Sequence, residues 1–233
     1  MKTIIYFYHI GKTGGNFIKR NLIKVSKQLN TKFYDFYEPN ENITDKKIEN
    51  NKLKLKNFIR NIPNINEKYI ILQHHHNYGG IDDIYQYIID MKKRLNKEYR
   101  FYLFTIVREP LSHISSLVNY VKNNLNVQNA SFNNLIQEKK YNLQSSYILY
   151  GNNSNKPVDI YLLKKYLLLF NKIFVIENIA DIQIELKKIL GQNIKWNREE
   201  KNVSVKTEFM TEEQKKIFLE NNKLDIYVYN RCK

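Results

Sequence analysis

Cysteine, proline and glycine are all scarce in this chain of 233 residues, with one, four and seven copies respectively. The lone cysteine, Cys232, sits second from the end. It excludes an internal disulfide framework and a cysteine metal site within one chain. Long apolar runs are missing too, and none approaches the ~18 residues that a membrane span requires. The apolar opening, Thr3–Tyr8, stops at His9 and passes straight into glycines, so it reads as a first core strand and not as a leader peptide. These absences together predict a cytoplasmic protein. Acidic residues are also in deficit: 23 Asp and Glu face 38 Lys and Arg, for a net charge of +15. That excess suggests an anionic partner. The chain is also crowded with Lys, Asn, Ile and Tyr, as expected of an AT-rich genome. Compositional drift on solvated faces therefore explains the charge as readily. Nucleic acid, a polyanionic glycan and a highly phosphorylated cofactor stay open.

What is present suffices for one α/β domain over residues 1–233, with 42% hydrophobic and 13% aromatic residues. After the Thr3–Tyr8 strand, apolar residues at 18, 22, 25 and 29 give a helical stripe. Thr31–Tyr37 reads as a short strand, Glu38–Asn51 as a loop, and Lys52–Ile62 as a basic helix ended by Pro63. Tyr69–Gln73 is a buried strand running into three histidines, followed by a helix over Ile81–Leu95. Phe101–Val107 is continuous and β-rich, as a central parallel strand should be. It ends in Arg108-Glu109-Pro110, with a helix to about Leu125. Two short helices follow Ala130. Then come a helix over Val158–Leu169, a strand over Lys172–Ile176 and a helix over Ile179–Leu190 closed by Gly191. Thr211 opens a terminal helix with a capping box, and Asp225–Arg231 continues it. This β-α alternation predicts a single parallel sheet with helices on both faces.

Gly11, Gly14 and Gly15 are three of the seven glycines, and Lys12 and Thr13 lie between them. A strand that ends in glycines and a lysine and then becomes a helix can hold a phosphate. Backbone N–H groups, the helix N-terminus and the ammonium all favour negative charge there. A helix-start turn with an incidental lysine is the plainer reading. Gly11-Lys12-Thr13 supplies the second half of the Walker pattern G-x-x-x-x-G-K-[ST], but Tyr6 stands where its first glycine belongs. Arg108 falls just outside the carboxyl end of the Phe101–Val107 strand, where open α/β sheets bind ligands. Ser116 lies about two turns into the next helix. It is either a phosphate ligand shared with Arg108 or an ordinary packing serine. His74, His75 and His76 are adjacent: a metal clip or a polar strand end. Neighbours on a strand cannot all face one ion, which weakens the metal reading.

HIGKTGGNF followed by TIVREPLSHISSL resembles the sulfotransferases that use 3′-phosphoadenosine 5′-phosphosulfate (PAPS), in particular the carbohydrate branch of heparan sulfate 2-O-sulfotransferase-like and bacterial members. The family's motifs read much like HIPKTGGTS and VRDPxxRxxS. FVIENIADIQIELKKILG, NLQSSYILYG and LDIYVY resemble further family segments, so the similarity spans most of the chain. It implies a P-loop-like three-layer αβα domain. It also implies that Lys12, Thr13, Gly14, Gly15 and Asn16 cradle the 5′-phosphosulfate, and that Arg108 and Ser116 hold the 3′-phosphate. No metal is implied. Aligning Tyr78-Gly79 with the family's GHxPYG puts His75 on the candidate base, with His76 next and His74 on the other side of the strand. Lys206, in Asn202–Lys206, is a further phosphate candidate or a solvated lysine. Three departures stand out. Gly11 replaces proline and is expected to loosen the turn, Asn16 replaces Ser or Thr, and Glu109 replaces Asp as a poorer helix cap. The acceptor implied is a hydroxyl, carbohydrate by the family's habits, in a bacterial cytosol, with no specific nucleic acid as partner. A magnesium-dependent kinase is the nearest enzyme alternative, but no Walker B aspartate ends the strand before Arg108. A non-enzymatic polyanion-binding protein is the other alternative.

Overall fold

β1 (Lys2–His9) is the middle strand of a five-stranded sheet in the order β2-β3-β1-β4-β5. The computed structural model describes residues 1–37, 45–127, 129–151, 156–197 and 207–233. β3 (Tyr69–His75) and β4 (Tyr99–Val107) flank β1. β2 (Phe33–Phe36) and β5 (Lys172–Val175) form the edges. Every pairing is parallel, with His9 opposite His75 and Tyr8 opposite both His74 and Thr105. The Phe101–Val107 strand is thus interior but not the middle one. Three strands read as near-continuous apolar runs because both faces of the sheet are covered.

Alternation along β1 sorts the core into two layers. Ile4, Tyr6 and Tyr8 face α2 (Asp45–Asn61), α3 (Ile81–Glu98), α6 (Leu143–Tyr150) and α7 (Ile160–Leu167). Ile5 and Phe7 face α1 (Gly15–Gln28) and α8 (Ala180–Leu190). A third, smaller cluster joins α4 (Pro110–Asn124), α5 (Phe132–Gln137) and α9 (Glu212–Asn221) through Ile114, Val118, Phe132 and Phe218. The result is the three-layer α/β domain expected from the β-α alternation.

Two sequence expectations need correction. The basic helix starts at Asp45, so 45–51 is helical and not loop, because Ile48 extends the buried stripe of Leu55 and Ile59 by two turns. The C-terminal segment is two helices: Asn222 breaks the run after α9, and α10 (Lys223–Cys232) starts afresh. The Asn222 side chain donates to the Phe218 carbonyl at 2.7 Å and accepts from the Asn142 N–H at 2.7 Å, which fixes the break against α6. The capping box at Thr211 and Gln214 forms as expected. So does the left-handed stop at Gly191, with φ 66°.

Candidate functional site

The glycine loop leaves the carboxyl end of β1 and delivers the chain to α1. Gly14 is the N-cap, left-handed at φ 84°, with no side-chain cap. The first turn of α1 holds no acidic residue. The opening of this helix therefore keeps its positive field for an outside anion. Gly11 is not the loose point expected. Its N–H donates to His76 Nδ1 at 3.2 Å, and its carbonyl accepts from His113 Nε2 at 2.9 Å. A side chain there would also meet the His76 ring, whose Cε1 lies 2.9 Å from the Cβ position. Thr13 is fully buried, and its hydroxyl donates to the Ile10 carbonyl at 2.8 Å. Its hydroxyl is thus spent on the turn itself. Asn16 is exposed at the start of α1.

Lys12, at the crest of the loop, is itself left-handed at φ 65°. Its ammonium rests 3.7 Å from the centre of the Tyr120 ring on α4. Burial, and then the Arg108 charge, push its pKa down to about 8. Arg108, just beyond β4, donates from a guanidinium nitrogen to the Lys12 carbonyl at 3.4 Å. Its pKa is lowered by burial, against the opposing charges of Glu177 and Glu109. Two cations converge here, and the Arg108 charge adds to the depression of Lys12. An anion between them relieves both.

α4 presents the rest of this wall. Glu109 caps it well, accepting from the Leu111 and Ser112 N–H groups at 3.0 and 2.7 Å, so glutamate does here what aspartate was expected to do better. Pro110 takes the first turn. Ser116 is half-buried and lies one turn before Tyr120, hence on the same face as the ring that carries Lys12. Lys12, Arg108 and Ser116 are thereby brought to one end of the sheet.

All five histidines gather beside this loop, and all five are buried. His74 faces the Tyr6 layer, with Nδ1 2.9 Å from the Tyr6 hydroxyl. His75 faces the opposite side, edge-on to His9 at 4.7 Å between ring centres and to Tyr37 at 5.0 Å. The expected alternation ends there. His76 begins a 3-10 turn, which swings its ring to 4.1 Å from His75 and stacks it on Tyr147. His75 Nδ1 accepts from the Asn77 N–H at 3.3 Å, which places the proton of the neutral ring on Nε2. Burial, then the neighbouring His76, His9 and His74, hold its pKa well below the ordinary histidine value. His9 falls to about 3 and His113 to about 4, in both chiefly through burial. Among the described residues, no group of three or more His, Cys, Asp or Glu is arranged to hold a metal ion.

Two groups escaped the sequence reading. His113 stands where the pattern VRDPxxRxxS has its second arginine, and that substitution was the signal. Gln144 and Asp225 are the other: the Gln144 amide holds the Arg108 backbone, and Asp225 holds the start of the Gln144 helix. Lys206 lies outside the described residues. No described helix is long and apolar enough to cross a membrane.

These features define a parallel three-layer α/β domain with an anion-receptive loop at the carboxyl end of its middle strand. No protein-family model matches the chain. No curated protein matches it either. Among solved structures, a sulfotransferase from Alicyclobacillus acidocaldarius is similar, with a TM-score of 0.52 at 13% identity over 97% of this chain and 93% of that one. An uncharacterized protein from Eubacterium ventriosum gives a TM-score of 0.41 at 14% identity over 81% of this chain and 99% of that one. The first of these likenesses shows the shared fold.

Proposed function

We propose that the protein is a sulfotransferase that uses PAPS and sulfates a hydroxyl of a carbohydrate acceptor. The observation that carries the reading is the pairing of Lys12 with Arg108 at an uncapped helix start, two partly buried cations with the Lys12 ammonium parked on an aromatic ring. The motif resemblance and the sulfotransferase of like fold support it.

The residues fit such a nucleotide. Lys12 and the backbone N–H groups of Thr13, Gly14, Gly15 and Asn16 would hold the 5′ end, and Arg108 with Ser116 the 3′-phosphate. PAPS supplies the sulfuryl group, which passes to the acceptor oxygen as the bond to the 5′-phosphate breaks. Lys12 then offsets the negative charge that grows on the oxygen left behind. This is positioning and electrostatic stabilisation. His75 is the base of the reading: it takes the acceptor's proton at Nε2. That requires the other neutral tautomer, and the 3.3 Å contact with Asn77 is long enough to release cheaply. Negative charge bound beside His75 raises its pKa toward the useful range.

Thermal stabilisation tests the assignment. 3′-Phosphoadenosine 5′-phosphate (PAP) without metal should raise the melting temperature more than ATP with magnesium. The reverse order favours a kinase. No shift with either, together with tight salt-sensitive DNA binding, favours a polyanion-binding protein.

A further inference from the structure

Arg108 is held by its backbone from a helix far along the chain. The Gln144 side-chain amide accepts from the Arg108 N–H at 2.8 Å and donates to the Arg108 carbonyl at 2.8 Å. A primary amide carries an acceptor and a donor side by side, which matches the C=O and N–H of a single residue. Gln144 is 1% exposed, so neither bond competes with water.

Gln144 is fixed in turn. α6 starts at a left-handed Asn142 that provides no side-chain cap of its own. The cap comes from α10 instead. Asp225 accepts from the Gln144 N–H at 3.1 Å, the Ser145 N–H at 2.8 Å and the Ser145 hydroxyl at 2.6 Å. The Asn142 side chain accepts from the Leu224 N–H at 2.9 Å, closing the joint from the other side. A buried carboxylate is costly unless donors meet it, and here three do. Apolar residues would pack α6 on α10 without that cost. What they would lack is a rigid link from α10 through α6 to Arg108, which reaches the glycine loop.

The geometry points to Gln144, held by Asp225, as the positioning residue that aims Arg108 and thereby sets recognition of the nucleotide's 3′-phosphate. This rests on the PAPS reading above. Gln144 does not touch the nucleotide. It acts by removing the freedom of the Arg108 backbone, so that the guanidinium starts from one place.

The test compares PAP with adenosine 5′-monophosphate (AMP), which differ only in the 3′-phosphate, by calorimetric titration in EDTA. Wild type should prefer PAP, and Gln144→Ala should shrink that preference by about tenfold or more while AMP binding stays within about twofold. A merely structural role lowers both affinities together and leaves their ratio intact, which overturns the proposal. Asp225→Asn keeps one acceptor oxygen and serves if Gln144→Ala does not fold. It should shrink the preference by a smaller factor, and an unchanged ratio there also overturns the proposal. Failure of the underlying reading looks different: wild type itself shows no preference for PAP. The clamp is then decided without ligand by hydrogen exchange of the Arg108 amide. Faster exchange in Gln144→Ala than in wild type supports it, and equal exchange overturns it.

Discussion

The Lys12 ammonium lies 3.7 Å from the centre of the Tyr120 ring, and no carboxylate contributes to its lowered pKa of about 8. A cation over an aromatic face gains roughly 0.5–1 kcal/mol at a partly exposed site, far less than a bound phosphate offers. The ring is a resting place from which Lys12 can turn to an anion.

That relationship gives a pH prediction. A bound anion raises the Lys12 pKa, so the complex holds a proton that the free protein gives up as pH rises through about 8. PAP affinity should therefore fall as pH rises above about 8. Calorimetry at pH 8.5 in buffers of different ionisation enthalpy should show proton uptake, and Lys12→Ala should abolish it. Affinity that does not change between pH 7 and 9.5 would exclude this role for Lys12.

Turnover should be sensitive to the loop and to the base. Removing one aimed charge or donor typically costs ~10²–10³ in rate, and that loss is expected for both Lys12→Ala and His75→Ala. Arg108→Ala should instead act mainly on cofactor binding. Single-turnover sulfation assays separate the two, and near-normal rates in either of the first two variants remove that residue from the mechanism.

Gly15 carries a steric prediction. A Cβ there would stand 1.8 Å from His9 Nε2 and 1.9 Å from its Cδ2. His9 is buried and stacked on Phe7, so it cannot step aside. Gly15→Ala should destabilise the fold by about 1–3 kcal/mol in urea melts. Combining it with His9→Ala should restore part of that loss. Strictly additive effects would deny the contact.

Much of this was legible in the sequence. The strand-glycine-lysine junction and the Val107-Arg108-Glu109-Pro110 junction are local signals, and both fall where the alternating pattern put them. Contacts made by side chains distant in sequence were not legible. Nothing near Gln144 announces that its amide will meet Arg108, 36 residues earlier. Nothing near Asp225 announces that it will cap α6. The break at Asn222 was invisible for the same reason, since its partner is Asn142. The start of α2 was missed because Ile48 is isolated among polar residues. His76 left the strand alternation through a 3-10 turn that no nearby proline marked.

The histidine cluster predicts acid instability. His9 and His74 have pKa values pushed down to about 3 and His113 to about 4, all chiefly by burial, and His75 is also lowered. The unfolded chain binds these protons near pH 6.5 and the folded chain does not. Stability is therefore intact above about pH 6.5 and is lost as pH falls toward 4, by about 1.4 kcal/mol per pH unit for each histidine. With several of them lowered in the same direction, stability should fall steadily below about pH 6.5. Urea melts at pH 7.5, 6.5 and 5.5 test this. Equal midpoints at all three would show that the cluster takes up protons while folded.

The most direct measurement is an equilibrium titration of the protein with PAP in EDTA, on wild type and Lys12→Ala. Saturable one-to-one binding, weakened about tenfold or more by the substitution, is the predicted result. Absence of saturable binding, or equal affinity in the two proteins, would contradict the claim that Lys12 and Arg108 form a grip for this nucleotide.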